Sequence, residues 1–402
     1  MTSFDTTPQL NVWRALLALA VVFVMLATTG WTALRNQRGD TPLKASLSAW
    51  EDGRIGGHRL PDPQSQPTKL ARFFSSLTER DRASLVRKYP LAVGNMNGAP
   101  VELRYRANRI ALGQAREVER ERMHDSRLTP SGKYEAGRRM HRFEDLMEKD
   151  RHILAFDPDG SGRVAEVFGD LREADRVSVV VPGVDTDLLT FQRTRRKYSA
   201  PVGMAESLYA AERAASPSTR TAVIAWADYT APSGLGIDSA TGLRAEEGAE
   251  RLNALVRALP NSSPVSLFCH SYGSVVCGVA AHSLPGRVSD IAVAGSPGMR
   301  VEKAAQLHTT ARVWAMRDAD DWIQDVPYLE VGGLGHGADP VSTGFGARVL
   351  SAQGAKGHAG YFEPGTASLM NFAEIGVGAY RSVHCAHEDG VCRTGLSGTA
   401  AA

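Results

Sequence analysis

Charge imbalance is what this chain most lacks. Its 46 Lys and Arg nearly cancel 44 Asp and Glu, leaving a formal net charge of +2 over 402 residues. So small an excess gives no footing for nucleic-acid binding. No zinc-finger spacing, RNA-binding signature or P-loop occurs, and no internal repeat or long low-complexity tract. Those absences set aside the metal-finger, RNA-module, P-loop and repeat classes. Cysteine is scarce, at four residues. What remains is an ordinary apolar content of 43%. That suits one large domain with an N-terminal extension, or two domains.

One long uncharged run is present, at residues 15–34, and 16–26 is continuously apolar. About 20 such residues is the length of a membrane-crossing helix, and an apolar stretch behind a single basic residue, Arg14, also suits a signal peptide. Residues 28–33 offer small side chains but no clear A-x-A cleavage site. Residues 1–35 are therefore expected to be an uncleaved signal anchor in preference to a cleaved signal. Arg35, Arg38 and Lys44 follow the run, whereas only Arg14 and the amino group precede it. Counting Lys and Arg would put the C-terminal side inside.

Residues 36–66, rich in Gly, Pro, Asp, Gln and Ser, read as a linker. Residues 67–152 read as a helical N-terminal region. Its mixed charge runs are solvated faces, and Ala136, Met140, Phe143 and Met147 form an apolar stripe. From 153 to 380 strands alternate with helices. Runs 151–156 and 163–168 flank Asp157-Pro158-Asp159-Gly160-Ser161-Gly162, which opens like a calcium loop. Phe168 stands where the closing glutamate belongs, so a hairpin turn is the better reading. Further strands are expected at 176–181, 222–226, 265–268, 291–294, 311–316 and 347–350, and an amphipathic helix at 242–259. Continuously apolar strands alternating with helices imply an α/β domain, a mostly parallel sheet with helices on both faces. Ligands bind such sheets beyond the carboxyl ends of the strands.

The sequence Phe268-Cys269-His270-Ser271-Tyr272-Gly273-Ser274 lies between an apolar strand and a run of small and apolar residues. That is the context of a nucleophile elbow, with Ser271 at the turn. Gly273 supplies the small residue two positions after the serine. Cys269 stands where a glycine is usual two positions before. A serine needs a base, and the base an orienting carboxylate. In elbow enzymes the order is serine, acid, histidine. Asp318, Asp320 and Asp321 all follow the strand 311–316. Asp321 is chosen because Asp321-Trp322-Ile323 re-enters an apolar run that would bury the carboxylate, with Asp318 the alternative. His358, after the last strand, is preferred as base to His336, which precedes it. The oxyanion of an acyl-transfer intermediate would be met by the backbone N–H of Tyr272. A second N–H would come from the loop Val181-Pro182-Gly183-Val184, with Val184 first choice because Pro182 has none.

Cys385 and Cys392 sit in a polar loop of the C-terminal tail, 381–402. Three readings stand: a disulfide, free thiols, or a metal site with His384 and His387. Cys269 and Cys277 are expected simply to be packed. Arg193, Arg195, Arg196 and Lys197 read as a solvated helix face or as contacts to anionic headgroups.

Several segments together resemble the actinobacterial alpha/beta-hydrolase-like proteins long filed as a domain of unknown function. They are Gly98-Ala99-Pro100, Arg104-Tyr105-Arg106-Ala107-Asn108-Arg109, Val181-Pro182-Gly183, Trp226-Ala227-Asp228-Tyr229 with Pro232, and His270-Ser271-Tyr272-Gly273-Ser274. Gly295-Ser296-Pro297-Gly298, Asp339-Pro340, Phe345-Gly346-Ala347 and Gly357-His358-Ala359-Gly360-Tyr361 complete the set. The resemblance, over about residues 70–378, implies an alpha/beta-hydrolase fold with Ser271 as nucleophile and His358 as base. It also implies export or membrane anchoring, against the charge count, and it supplies no substrate.

The expected function is a serine hydrolase acting on an ester or related acyl bond through Ser271, His358 and Asp321, requiring no metal or organic cofactor. A small-molecule or lipid acyl substrate is expected, with 230–239 at the pocket rim. The alternatives are a catalytically silent, membrane-tethered binding module on the same fold, and an acyltransferase using the same triad.

Overall fold

The computed structural model describes residues 41–386 and 391–396. The expected anchor or signal at 1–35 lies outside the described residues. Among the described residues no helix is long and apolar enough to cross a membrane.

The described part of the expected linker is folded. Helix α1 (Pro42–Glu51) starts with a proline behind Thr41, whose side chain accepts from Lys44 N, and it buries Leu43 and Trp50. A small hairpin follows, β1 (Arg54–Ile55) with β2 (His58–Arg59), and Trp50 Nε1 donates to Pro61 O at 2.7 Å. A segment with two buried anchors in ten residues has too short a stripe to register as periodic. Helices α2 (Pro67–Ser76), α3 (Glu79–Lys88), α4 (Pro90–Asn95), α5 (Val101–His124) and α6 (Pro130–Leu146) make the expected helical region. Trp50, Leu70, Phe74, Leu85, Val93 and Leu103 share a core there, separate from the two that flank the main sheet.

The main sheet has eight strands: β3 (His152–Asp157), β4 (Arg163–Phe168), β5 (Arg176–Val181), β6 (Thr221–Ala227), β7 (Val265–His270), β8 (Val288–Ala294), β9 (Arg312–Met316) and β12 (Arg348–Val349). Their order across the sheet is β12-β9-β8-β7-β5-β6-β4-β3. The five neighbouring pairs from β12 to β6 are parallel. Strand β4 runs antiparallel to β6 and to β3, closing the expected hairpin. Every residue of β6 and β7 is buried, as strands covered on both faces require. Side-chain alternation divides the core. Val177, Val179, Val181, Leu267 and Ile291 pack with Leu252 and Val256 of α9 (Leu243–Ala258) and Val276 of α10 (Gly273–Ala280). Val180, Phe268 and Trp314 pack on the other face with Leu208 of α7 (Pro201–Ala215) and Phe372 of α11 (Ala367–Val377). A short helix, α8 (Ile237–Ala240), precedes α9, and a second hairpin joins β10 (Glu330–Val331) to β11 (Leu334–Gly335). Residues 193–196 form exposed, non-helical chain, and exposed Lys197 opens a short 3-10 turn, Lys197–Ser199.

Side-chain amides line the outer strand. Asn95 donates to Phe156 O at 2.7 Å and accepts from Phe156 N at 3.1 Å. Asn108 donates to Ile153 O at 2.9 Å and to Gly94 O at 3.1 Å. A Cβ at Gly94 would lie 1.9 Å from Asn108 Oδ1, so this contact requires glycine. The segment Arg104–Arg109 of the family resemblance thus serves to dock the helical region on the sheet. At the opposite margin Leu350 bridges Cys385 antiparallel. Asn371 accepts there from His384 N at 2.6 Å and donates to His384 O at 3.1 Å.

Glu212 of α7 is fully buried against β5 and α11. It accepts from Ser178 Oγ, while its second carboxylate oxygen has no partner. Burial pushes its pKa from 4.5 to about 8, the hydrogen bond from Ser178 opposing only in part. Protonated Glu212 therefore contributes stability below its unfolded pKa, and that stability is lost as pH rises through about 8. Glu212→Gln is expected to gain stability relative to wild type steadily between about pH 5 and pH 9. Urea unfolding of both proteins across that range checks it; parallel curves would contradict a proton bound only in the folded state.

Candidate active site

Strand β5 ends at Val181, β7 at His270, β8 at Ala294 and β9 at Met316, so the loops that follow converge beyond one end of the sheet. Ser271 stands between β7 and α10 with φ 55°, the left-handed region that a serine rarely adopts. Its N–H donates to Ala294 O at 3.0 Å. A Cβ at Gly273 would lie 2.2 Å from Val181 O, so strand and helix approach as closely as an elbow demands. At position 269 the cysteine side chain turns into the core under α10.

His358 Nε2 lies 2.9 Å from Ser271 Oγ, and His358 Nδ1 lies 2.9 Å from Asp321 Oδ1. Asp321 is fully buried. Burial alone would raise its pKa, but hydrogen bonds from His358 and Tyr361, the His358 charge and the N–H of Ile323 outweigh it and hold the carboxyl below its ordinary value. An ionised Asp321 can only accept, so Nδ1 carries the proton and Nε2 is left to accept from Ser271. Asp318, the alternative acid, accepts instead from Gly357 N at 2.8 Å. Asp320 is exposed. His336, the alternative base, is buried and bonded through Nε2 to Ser239 O at 2.7 Å.

The structure brings the loop 181–184 against the serine. The space a Cβ at Gly183 would take lies 2.9 Å from Ser271 Oγ and 3.0 Å from Tyr272 N. Tyr229 Oη donates to Pro182 O at 2.7 Å and so ties this loop to the one after β6. Among the described residues, neither Tyr272 N nor Val184 N meets an intramolecular acceptor.

Three neighbours carried no role in the sequence reading. Gly295 has φ 55°, and a Cβ there would lie 2.9 Å from Asp321 Oδ2 and 3.2 Å from His358 Cε1. Tyr361 donates to Asp321 Oδ2 and accepts from Asp318 N. His270 meets the carbonyl of His358. The only sequence signal for them was their place in glycine-rich or motif segments.

Trp322, half-exposed, has its ring 4.7 Å from that of His358. On one loop and the starts of α8 and α9 beside it Leu235, Ile237 and Leu243 are exposed, as are Leu329, Val331 and Leu334 on another, the β10–β11 hairpin and its approach. The two loops meet where Thr241 bridges Leu334, and Tyr272 Oη donates to Thr241 O at 2.8 Å.

Cys269 and Cys277, expected as packed thiols, are bonded to each other, with Cα atoms 6.5 Å apart. The sharp turn folds α10 back along β7 and brings the strand end opposite the second helical turn. Cys385 and Cys392 are likewise joined, with Cα atoms 5.5 Å apart. Among the described residues no cluster of His, Cys, Asp or Glu is arranged to hold a metal ion.

Residues 157–331 match the family model described as alpha/beta hydrolase. The uncharacterized protein Rv2079 of Mycobacterium tuberculosis is 28% identical over 381 residues, covering 80% of this chain. The chain spans 57% of that relative's length. The uncharacterized protein Rv0963c of the same species is 34% identical over 145 residues, which is 35% of this chain and 53% of the relative. Among solved structures, XC6422 from Xanthomonas campestris, described as an a/b serine hydrolase without lid, aligns with TM-score 0.29 and 14% identity over 44% of this chain and 74% of its own. The 2,6-dihydroxy-pseudo-oxynicotine hydrolase aligns with TM-score 0.28 and 12% identity over 69% of this chain and 78% of its own.

Proposed function

From the premise that residues 157–331 are those of an alpha/beta hydrolase, we propose that the chain is a serine hydrolase cleaving an ester or related acyl bond. One observation carries the reading: the unbroken chain from Ser271 Oγ through His358 to Asp321, both links 2.9 Å, with the serine on strained backbone.

Ser271 Oγ attacks the acyl carbon while His358 Nε2 takes its proton. Asp321 keeps the ring oriented and stabilises the imidazolium that forms. Negative charge on the former carbonyl oxygen falls beside the unpaired N–H groups of Tyr272 and Val184. His358 then returns the proton to the leaving oxygen. Water, activated by the same histidine, hydrolyses the acyl-enzyme. This chemistry needs neither metal nor organic cofactor.

The exposed apolar residues on the loops beside Tyr272, with Trp322 against His358, favour an apolar acyl chain or a lipid as substrate. Two disulfides support an oxidising compartment, and with it an exported or membrane-anchored catalytic domain.

The test is to treat the protein with a fluorophosphonate and map the adduct. One covalent adduct is expected, on the peptide holding Ser271. A well-folded protein that takes no label, or takes it elsewhere, overturns the reading and leaves a silent binding module on the same fold.

A further inference from the structure

His358 lies on a single 3-10 turn, Gly357–Ala359, in a glycine-rich loop outside the sheet ladder. A base on such a loop must still be held closely, since a misplacement of about 1 Å costs about a hundredfold in rate. The bonds to Asp321 and Ser271 fix the ring but not the peptide that carries it.

Two side chains bond to the backbone of that turn. His270 Nε2 donates to the carbonyl of His358 at 2.6 Å. Asp318 Oδ2 accepts from the N–H of Gly357, the residue before the base, at 2.8 Å. The peptide after His358 Cα and the Lys356–Gly357 peptide, one further upstream, are therefore gripped, the first by the strand that carries the nucleophile and the second by the loop that carries the acid. Tyr361 links the second grip to the acid, because it accepts from Asp318 N and donates to Asp321.

Resting on the reading of Ser271 and His358 as the reacting pair, we propose that His270 and Asp318 are positioning residues that clamp the backbone of His358 and so hold its Nε2 against Ser271 Oγ. His270 suits this work because it donates without charge. Burial, and then the neighbouring His358, hold its pKa down at about 3. The two rings are 5.0 Å apart, where a second imidazolium would oppose the one that forms on His358 during turnover.

The test compares His270→Leu with His270→Gln, and Asp318→Ala with Asp318→Asn. Glutamine returns an N–H near the place of Nε2, and asparagine keeps an acceptor oxygen. Steady-state turnover of a soluble ester and the rate of fluorophosphonate labelling are measured for each, with thermal unfolding as a check on folding. His270→Leu is expected to lower kcat about a hundredfold with KM within about twofold, and labelling to slow in parallel. His270→Gln is expected to recover most of that loss. Asp318→Ala is expected to lower kcat by about tenfold or more, and Asp318→Asn to stay near wild type. His270→Leu with wild-type kcat, or His270→Gln as slow as His270→Leu, overturns the clamp in favour of simple space-filling. Should His270→Leu not fold, the Asp318 pair decides, since that side chain is partly exposed on a loop. A wild type that takes no label at Ser271 sinks the hydrolase reading and the clamp with it. A labelled wild type with unaffected variants sinks the clamp alone.

Discussion

Ser271→Ala is expected to lower ester turnover by about a million-fold and to abolish fluorophosphonate labelling. The size follows from how the group acts. In the proposed mechanism Ser271 Oγ is the atom that bonds to the acyl carbon, and it is the group that meets His358 Nε2. Removing the nucleophile or the base of such a set costs about as much as removing all of it. In that mechanism the remaining rate would come from binding and from the N–H groups proposed to meet the oxyanion, those of Tyr272 and Val184. Folding should survive, because Ser271 N, and not its side chain, makes the bond to Ala294 O. Alanine in the left-handed region at 271 carries the same Cβ as serine, so the backbone strain is unchanged. Single-turnover kinetics on an activated ester, with unfolding curves for both proteins, check the expectation. A variant retaining more than about a thousandth of wild-type rate would place the nucleophile elsewhere.

Asp321→Asn is expected to lower kcat by about ten-thousand-fold at neutral pH. Three donors converge on this carboxylate: His358 Nδ1 and Ile323 N on Oδ1, and Tyr361 Oη on Oδ2. Tyr361 cannot easily turn its proton away, since its oxygen already accepts from Asp318 N. An amide must point its NH2 group at one side. Facing Tyr361, it opposes the hydroxyl that donates to Oδ2. Facing His358, it forces the proton onto Nε2, and the ring can no longer accept from Ser271. The first arrangement removes the negative charge that stabilises the imidazolium, and the second also reverses the tautomer of the base. Asp318→Asn is the matched control, expected to remain near wild type. An Asp318→Asn protein slower than Asp321→Asn would show that the acid had been wrongly chosen.

Much of this was legible in the chain because the relevant signals are local. The strand expected at 176–181 is β5 to the residue, and those at 222–226 and 265–268 are extended only by a residue or two at their ends. Continuous β-branched and apolar runs permit little else. The strand, sharp turn and helix around Ser271 were readable for the same reason. Asp321 was chosen among three acids for its apolar sequel, and of the three it is the one that is fully buried and bonded to His358. What could not be read depends on approach across the fold. His270 meets a carbonyl 88 positions away, and Asp318 an N–H 39 positions away. Nothing beside either residue announces such a partner. The bond between Cys269 and Cys277 escaped because a small residue near an elbow is already explained by crowding. The fold of residues 41–66 escaped because its buried anchors are sparse.

The amides that dress both margins of the sheet bear on how this chain meets other chains. A bare outer strand offers a row of unpaired N–H and C=O groups, the usual template for edge-to-edge growth and aggregation. Here Asn95 takes both backbone groups of Phe156 and Asn108 takes the carbonyl of Ile153. At the far margin Leu350 pairs with Cys385, and Asn371 takes both groups of His384. An incoming extended peptide would have to displace these bonds before making its own. Self-association by sheet extension is thereby disfavoured at either end, and oligomers of this chain would be built through its helices and loops.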